Sequence, residues 1–180
     1  MPTFPRPELS DGTLVLRALR PDDVPGIVRA CRDQQTQRWL PLKRDYDDAD
    51  ARDYIELAGP VQSSGDGMLF AIEVAGDFAG AIDLKKTDWV VKSTEIGYWV
   101  VPEHRGHGLA GRAASLLADW VLTQMRFERV VIQVAAGNEA SLRAARQAGF
   151  RFEGVARRAG TTHSGVVDLH VFSKISDDLP

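Results

Sequence analysis

The sequence predicts a mixed α/β fold, built from a mostly antiparallel sheet of about seven strands with about four helices on its two faces. Short apolar runs rich in β-branched residues alternate along the chain with longer runs whose apolar residues recur at helical spacing. Residues 68–74 and 78–84 are two such strands, and the turn Ala75-Gly76-Asp77 between them predicts an antiparallel hairpin. A further strand, 129–134, is apolar on both faces, which is typical of a strand covered by helices.

The segment before the hairpin contains one predicted strand and two predicted helices. Residues 13–17 alternate enough to form the strand, and the Pro-Asp-Asp sequence that follows supplies the start of a helix over 24–31. A second helix is predicted over 48–57, ending before Gly59-Pro60. Residues 38–46 show no clear periodicity, and we expect them to line a substrate site because binding residues concentrate on loops.

The segment after the hairpin alternates strands with helices. A strand over 94–101 leads through a glycine-rich turn into a strongly periodic helix over 109–125. After the apolar strand 129–134, Asn138 is suited to cap a fourth helix, and Gly149 is suited to end it in a left-handed conformation. The closing strands are 151–157 and 166–173, on either side of the segment Gly160 to Gly165.

The length and composition indicate one globular domain over residues 1–180. The chain of 180 residues is 44% hydrophobic, and no linker, repeat or low-complexity stretch interrupts it. Its formal net charge of -3 argues against a general nucleic-acid or membrane-surface binder. No apolar run approaches the ~20 residues that span a bilayer, and the amino terminus lacks the apolar core of a signal peptide. We therefore expect a soluble, cytoplasmic protein that binds neither membrane nor nucleic acid directly.

Neither cysteine nor histidine forms a recognisable reactive or metal-binding pattern. Cys31 is the only cysteine, so an internal disulfide is excluded, and we interpret this residue as structural. The four histidines have no Cys or carboxylate companions at ligand spacing. We predict no metal site.

The most informative segment is Arg105-Gly106-His107-Gly108-Leu109-Ala110, which lies between a predicted strand and a predicted helix. Glycine lets the backbone turn tightly and approach a ligand, and the first N–H groups of a helix have no partners within it. Such a turn therefore forms a cradle for phosphate oxygens, with Arg105 adding a cation at its mouth. In the alternative interpretation, Gly106 and Gly108 shape the connection and bind nothing.

Two other phosphate-binding motifs were compared with this segment. A P-loop requires Gly-Lys-Ser/Thr at its end, and no lysine follows Gly108, so nucleotide hydrolysis is excluded. A dinucleotide fingerprint matches the spacing of Gly106, Gly108 and Gly111, with Glu128 in roughly the required interval. That motif belongs on the first strand-helix crossover of a fold, whereas this one follows an antiparallel meander. A nicotinamide-dependent oxidoreductase remains a distant alternative.

Several motifs in a fixed order resemble the GCN5-related N-acetyltransferase family over nearly the whole chain. These are Leu14-Val15-Leu16-Arg17, Glu95-Ile96-Gly97-Tyr98-Trp99, the cradle, Asn138-Glu139-Ala140-Ser141 and Gly149-Phe150. The family pattern Gln/Arg-x-x-Gly-x-Gly/Ala is met by Arg105, Gly108 and Ala110. Within the family, the chain is most similar to the branch that includes the ribosomal-protein N-terminal acetyltransferases. The resemblance implies a sheet that splays at the cofactor site.

The resemblance also implies how acetyl-CoA would be bound as co-substrate. Backbone amides of the cradle would hold the pyrophosphate, and free backbone groups of the splayed strand would bind the pantetheine arm. Asn138 would contact the cofactor as well as cap its helix. The full set of cofactor-binding residues is Trp99, Val100, Val101, Arg105, Gly106, His107, Gly108, Leu109, Ala110, Gly111 and Asn138.

The catalytic assignments follow from what amide formation requires. Many relatives place a tyrosine seven residues after the asparagine to protonate the leaving thiolate, but Ala145 occupies that position here. Ser141 fits the pattern of the ribosomal-protein branch and is our candidate acid; an exposed or helix-bonded hydroxyl is the alternative. Glu95 is our candidate base, acting through water, with Glu73 in reserve. Tyr98 is interpreted as core or cofactor packing.

The predicted activity is transfer of an acetyl group from acetyl-CoA to a primary amine by direct attack in a ternary complex. The acceptor would be a protein N-terminus or a small-molecule amine, because acceptor-binding loops vary on a common fold. Two alternatives stay open: an acyltransferase that uses another donor such as succinyl-CoA, and a non-catalytic CoA-binding or sensor domain. The branch also permits a homodimer, although no sequence feature demonstrates one.

Overall fold

In a computed structural model, which describes residues 2–179, the chain folds into one eight-stranded sheet with five α-helices. The strands are β1 Leu9–Ser10, β2 Leu14–Arg17, β3 Met68–Val74, β4 Asp77–Asp88, β5 Ser93–Val100, β6 Arg129–Ala135, β7 Arg151–Thr162 and β8 Gly165–Lys174. The helices are α1 Val24–Arg32, α2 Gln34–Trp39, α3 Asp48–Ser64, α4 Leu109–Thr123 and α5 Glu139–Gln147. None of these helices is long and apolar enough to cross a membrane.

The sheet order is β1-β2-β3-β4-β5-β6-β8-β7, and every neighbouring pair is antiparallel except β5 and β6. These two parallel strands pair only from Ser93 opposite Arg129 to Glu95 opposite Val131. Beyond Glu95 they separate, although β5 continues to Val100 and β6 to Ala135. This confirms the predicted mixed fold with a sheet that splays between its two parallel strands.

Helices cover both faces of the sheet, as predicted. Neighbouring residues of a strand point to opposite faces, and on β5 Tyr98 packs with the core that contains α4, whereas Trp99 packs with the core that contains α1 and α3. We call these the α4 face and the α1/α3 face. The splay between β5 and β6 is therefore an opening that connects the two faces.

The observed elements differ from the predicted ones mainly in length and in two short additions. Strand β1 has two residues and helix α2 has six, which is too short for a periodic pattern to show. Helix α3 was predicted to end at Leu57 but continues through Pro60 to Ser64 and ends at Gly65, which has a φ of 80°. Proline removes a single backbone donor, and the long helix tolerates that loss.

The strands β7 and β8 also extend beyond the prediction. They were expected to flank a loop from Gly160 to Gly165, but pairing continues to Thr162 opposite Gly165. The connection is therefore a tight turn at the end of a long hairpin, and its walls reach the candidate site described below.

A buried ion pair fixes the start of α1 against the sheet. Arg17 on β2 donates two hydrogen bonds to Asp23, at 2.9 and 2.8 Å, and a third to Glu73 on β3. The Arg17 and Asp23 side chains are both almost fully buried. Glu73, the reserve candidate base, is thereby committed to a structural ion pair.

Replacing Arg17 with alanine is expected to lower the free energy of unfolding by about 3–5 kcal/mol, because the change strands the buried carboxylate of Asp23. Urea denaturation measures the loss. Arg20→Ala is the matched control: Arg20 is exposed and its Nη1 lies 3.8 Å from Glu73, so its loss should stay below about 1 kcal/mol. Equal losses in the two variants would contradict the assigned role of the buried pair.

Candidate active site

A cleft of about 1150 Å³ passes through the splay between β5 and β6. The predicted site residues that line it are Trp99, Val100, Arg105, Gly106, Gly108, Ala110, Gly111, Asn138 and Ser141. The predicted residues that do not line it are Glu95, Val101, His107 and Leu109. Residues of α2, α3, β4 and the β7–β8 hairpin complete the walls. The splay thus brings together segments that are distant in sequence.

The glycine-rich turn has the geometry of a cradle at the amino terminus of α4. Gly106 and Gly108 adopt left-handed conformations, with φ of 82° and 70°. The first N–H of the helix to donate along the backbone is that of Arg112, to the Gly108 carbonyl at 3.1 Å, and no side chain caps the helix. The amides of Leu109, Ala110 and Gly111 precede that bond, so they form a cluster of donors suited to an anion.

Glycine stands at positions 106, 108 and 111 for different physical reasons. A Cβ built on Gly108 would meet nothing nearer than the Gln147 amide at 3.7 Å, and one on Gly106 would meet nothing within 4 Å. Protein packing therefore does not require glycine at either position, whereas their positive φ angles favour it. Gly111 differs, because its Cβ would lie 3.0 Å from the Gln147 side chain and 3.1 Å from the Ala144 carbonyl. That glycine lets α4 and α5 pack closely.

Arg105 anchors the turn to α2 through several contacts. Its guanidinium lies 2.7 Å from the Asp33 carboxylate and donates hydrogen bonds to Thr36 at 2.8 Å and Gln35 at 3.2 Å. Its Nε donates to the carbonyl of Val100 at 3.1 Å. Because these contacts occupy the side chain, a direct role of Arg105 in cofactor binding stays a prediction.

The carboxyl end of β5 presents only part of its backbone to the cleft. The N–H of Val101, one of the predicted pantetheine contacts, donates to the Ala79 carbonyl at 2.9 Å, and the residue is buried. The carbonyl of Val100 accepts the bond from Arg105. Backbone groups along an antiparallel strand alternate in direction, so the N–H of Val100 points away from β4 and toward the splay.

Ser141 and Tyr98 form a hydrogen-bonded pair across the cleft. The Ser141 hydroxyl donates to the Tyr98 oxygen at 3.1 Å, and the Tyr98 hydroxyl donates to the Ser141 carbonyl at 3.1 Å. Asn138 caps α5 by accepting from the Ser141 N–H at 3.3 Å. Burial raises the pKa of the Tyr98 phenol above its ordinary value, so it stays a neutral hydroxyl. Two hydroxyls, from β5 and α5, therefore face the splay as one unit.

Comparison with known proteins identifies the family of this chain. The profile of the acetyltransferase (GNAT) domain matches residues 13–151. The chain belongs to the GNAT acetyltransferase family. This match confirms the predicted family and enzyme class.

Two named relatives of this GNAT acetyltransferase match over most of its length. YdaF of Bacillus subtilis, a candidate ribosomal N-acetyltransferase, is 29% identical over 156 residues, which cover 80% of this chain and 81% of the relative. The ribosomal-protein-serine acetyltransferase of Escherichia coli is 24% identical over 144 residues, covering 80% and 79%. The spermidine N(1)-acetyltransferase of Escherichia coli is 33% identical over 85 residues, covering 47% and 46%.

Solved structures share the fold of this GNAT acetyltransferase. RimL, a ribosomal-protein alpha-N-acetyltransferase in complex with coenzyme A, has a TM-score of 0.86 at 21% identity, covering 96% of this chain and 100% of its own. RimJ of Mycobacterium smegmatis, in complex with a CoA disulfide, has a TM-score of 0.86 at 22% identity, covering 97% and 88%. At these identities the comparison establishes a common architecture.

Ala145 occupies the position at which the family resemblance led us to look for a tyrosine, and this position is fully buried. Ala145 has no exposed surface and its carbonyl accepts the Phe150 N–H at 3.1 Å. A tyrosine side chain at position 145 would have to enter the core that contains α4. Tyr98 on β5 instead brings a phenol to Ser141, which lies one helical turn before Ala145 on α5. The sequence analysis interpreted Tyr98 as a packing residue and did not foresee this hydrogen bond.

Glu95 lies next to the splay but faces two lysines. Its carboxylate accepts a hydrogen bond from Lys86 at 2.8 Å and lies 3.7 Å from the Lys85 ammonium, and the residue is buried. Each carboxylate oxygen thus has a lysine partner, and one of these lysines, Lys85, lines the cleft. The role of Glu95 as general base stays a prediction.

The sequence analysis also missed Asp83, which lines the cleft from β4. Its signal was a single carboxylate within the otherwise apolar run 78–84. Such an acid on a central strand is costly unless it has partners or a function. Pairing between β4 and β5, which sequence does not reveal, places Asp83 opposite Gly97.

Cys31 is a buried thiol and does not line the cleft. Burial raises the pKa of the Cys31 thiol to about 11, so it stays protonated. Among residues 2–179, no group of three or more His, Cys, Asp or Glu side chains is placed to hold a metal ion.

Proposed function

We propose that this enzyme transfers the acetyl group of acetyl-CoA to a primary amine by direct attack within a ternary complex. The observation that carries the proposal is the splay between β5 and β6, which ends at the uncapped amino terminus of α4. The donor amides there suit a pyrophosphate, and the gap between the strands suits an extended arm. RimL and RimJ, which share this fold, are described with coenzyme A or its disulfide bound.

The chain's own groups supply two parts of the chemistry. The amine nitrogen attacks the thioester carbonyl carbon, and free backbone N–H groups at the end of β5 would stabilise the oxyanion that forms. When the carbon–sulfur bond breaks, the Ser141 hydroxyl turns from Tyr98 to the thiolate and donates its proton. The Tyr98 hydroxyl then turns from the Ser141 carbonyl to reprotonate the serine oxygen, and solvent restores the proton of Tyr98. In this relay Ser141 is the acid for the thiolate, and the phenol of Tyr98 is the acid for Ser141.

We propose a protein N-terminus as the first acceptor class and a small polyamine as the second. The relative named for ribosomal-protein serine matches over 80% of this chain, whereas the relative named for spermidine matches over 47%. The net charge of -3 favours encounter with a basic partner of either class. We further propose that residues 1–180 act as a single N-acetyltransferase domain. A homodimer and a cytoplasmic location stay predictions.

Acetyl-CoA is expected to raise the unfolding temperature of the protein, because a ligand that binds only the folded state stabilises it by about 2.7 kcal/mol at 100 times its dissociation constant. Free CoA, succinyl-CoA and NAD serve as comparison ligands. A shift with NAD alone would overturn the proposal, and a larger shift with succinyl-CoA would change the donor. Release of free CoA on addition of a serine-initiated peptide or spermidine then distinguishes an enzyme from a binding domain.

A further inference from the structure

The two faces of the sheet divide the cleft into a donor half and an acceptor half. The cradle, Asn138 and Ser141 belong to α4 and α5, on the α4 face. Asp83 and Gly97 are cross-strand partners on β4 and β5, and strand alternation points them, with Trp99, to the α1/α3 face. A thioester that reaches through the splay from the α4 face would meet an amine arriving from the α1/α3 face.

The acceptor half is mostly apolar and aromatic. Its walls include Trp39, Leu40, Leu42, Tyr54 and Trp99. Among residues 2–179, Asp83 is the one carboxylate that lines the cleft. An ammonium group that enters the acceptor half loses hydrating water. A carboxylate in this apolar environment attracts the ammonium more strongly than a carboxylate in solvent does.

The structure assigns to Asp83 the role of receiving the acceptor ammonium and taking its proton before the attack. This assignment rests on the proposed acetyl transfer and identifies a group that acts in it. One ammonium proton passes to Asp83 and then to solvent, and the neutral nitrogen forms the bond to the thioester carbon. The second proton lost by the nitrogen passes to solvent as the tetrahedral intermediate collapses, and solvent returns one proton to the pair of Tyr98 and Ser141, which replaces the proton that Ser141 gives to the departing thiolate.

The contacts of Asp83 leave one carboxylate oxygen for a ligand. Oδ1 accepts the Gly97 N–H at 3.1 Å and lies 3.8 Å from the Lys85 ammonium. Among the described residues, no donor is recorded on Oδ2. A Cβ at Gly97 would lie 2.8 Å from Oδ1 and 2.5 Å from Lys85 Nζ. Glycine at position 97 therefore leaves room for the carboxylate of Asp83 and the ammonium of Lys85.

The electrostatic surroundings of Asp83 suit a base. Burial raises the pKa of its carboxyl above the ordinary value, Lys85 and the Gly97 N–H oppose the rise, and the charge of Glu95 adds to it. From α3, Tyr54 faces the same region with a phenol whose pKa burial raises, so it is neutral. A carboxylate with a raised pKa accepts a proton more readily than an ordinary one. Glu95, by comparison, meets both Lys85 and Lys86.

The test compares Asp83→Asn with Asp77→Asn, which removes an exposed carboxylate from the same strand outside the cleft. CoA release is measured with acetyl-CoA and either a serine-initiated peptide or spermidine, whichever the wild-type enzyme acetylates. Asp83→Asn should keep the thermal shift with acetyl-CoA but lower kcat/KM for the amine by about 100-fold near pH 6.5. With the peptide, the defect should shrink as pH passes ~8, where an α-amine supplies its own neutral form; with spermidine, whose amines are alkyl amines like that of lysine, it should shrink only as pH approaches ~10. Asp77→Asn should match the wild type.

Several outcomes would overturn the assignment. These are unchanged turnover in Asp83→Asn, a loss that does not vary with pH, or a pH-dependent loss found in Glu95→Gln instead. If the wild type acetylates neither probe, the proposed function fails separately, and carboxyl ¹³C titration of the wild-type protein decides the role of Asp83. A carboxyl pKa for Asp83 above that of Asp77 supports the assignment, and one at or below it overturns it. The same titration decides the case if Asp83→Asn does not fold.

Discussion

Replacing Gly108 with valine is expected to abolish acetyl-CoA binding while leaving a folded protein. The backbone at Gly108 has a φ of 70°, and no protein atom lies closer than 3.7 Å to the position of a Cβ. The variant therefore meets little steric conflict within the protein, and the left-handed conformation costs about 1–2 kcal/mol. A branched side chain would instead occupy the space in front of the α4 amides, where we propose that the pyrophosphate lies.

Calorimetric titration with acetyl-CoA should show at least about 100-fold weaker binding in Gly108→Val, equivalent to roughly 2.7 kcal/mol. Gly76→Val is the matched control, because Gly76 also has a positive φ, of 87°, and open space around its Cβ, but lies in the β3–β4 turn. Both variants should lose similar stability, and the control should bind normally. Normal binding by Gly108→Val would remove the cradle from the cofactor site, and unfolding of that variant alone would indicate a structural role.

Ser141→Ala is expected to lower kcat by about 100-fold with little change in acetyl-CoA affinity, because general-acid catalysis contributes in the range of 10²–10⁴. Tyr98→Phe keeps the ring and removes the hydroxyl that meets Ser141 at 3.1 Å. It should slow turnover less, by about tenfold. Because the two hydroxyls act as a unit, the double variant should be no slower than Ser141→Ala alone.

Single-turnover measurements with saturating acetyl-CoA report the chemical step. Ser115→Ala on α4 is the control, because this serine contacts Asp119 and does not line the cleft. If Ser141→Ala turned over like the wild type, serine would have no part in protonating the thiolate. Additive losses in the double variant would show that Tyr98 acts independently of Ser141.

Elements with strong local signals were predictable from the sequence. The turn at Ala75–Gly76, the periodic helix from Leu109 and the cap at Asn138 all depend on residues that are neighbours in the chain. The elements that escaped prediction depend on pairing with a second strand and not on a pattern within one segment. Strand β1 exists because Leu9 pairs with Leu16, and the extension of β7 to Thr162 exists because it pairs with Gly165 on β8.

The same distinction applies to the candidate site. The cradle could be identified because glycine spacing and a helix start are local properties, and the family resemblance added Asn138 and Ser141. The partners of Arg105 could not be identified, since Asp33 and Thr36 lie about seventy residues away in the chain. Likewise, the lysines that engage Glu95 belong to the neighbouring strand.

The sequence by itself determined the fold class, the glycine-rich turn before α4 and the family, because these rest on periodicity, glycine placement and motif order along the chain. The tertiary structure alone decided which side chains meet in the splay. Strand register placed Asp83 opposite Gly97 in a cleft with apolar and aromatic walls, and the packing of α5 against β5 brought Ser141 to Tyr98. Register and packing are set by contacts between residues far apart in the chain, so local patterns do not encode them one by one.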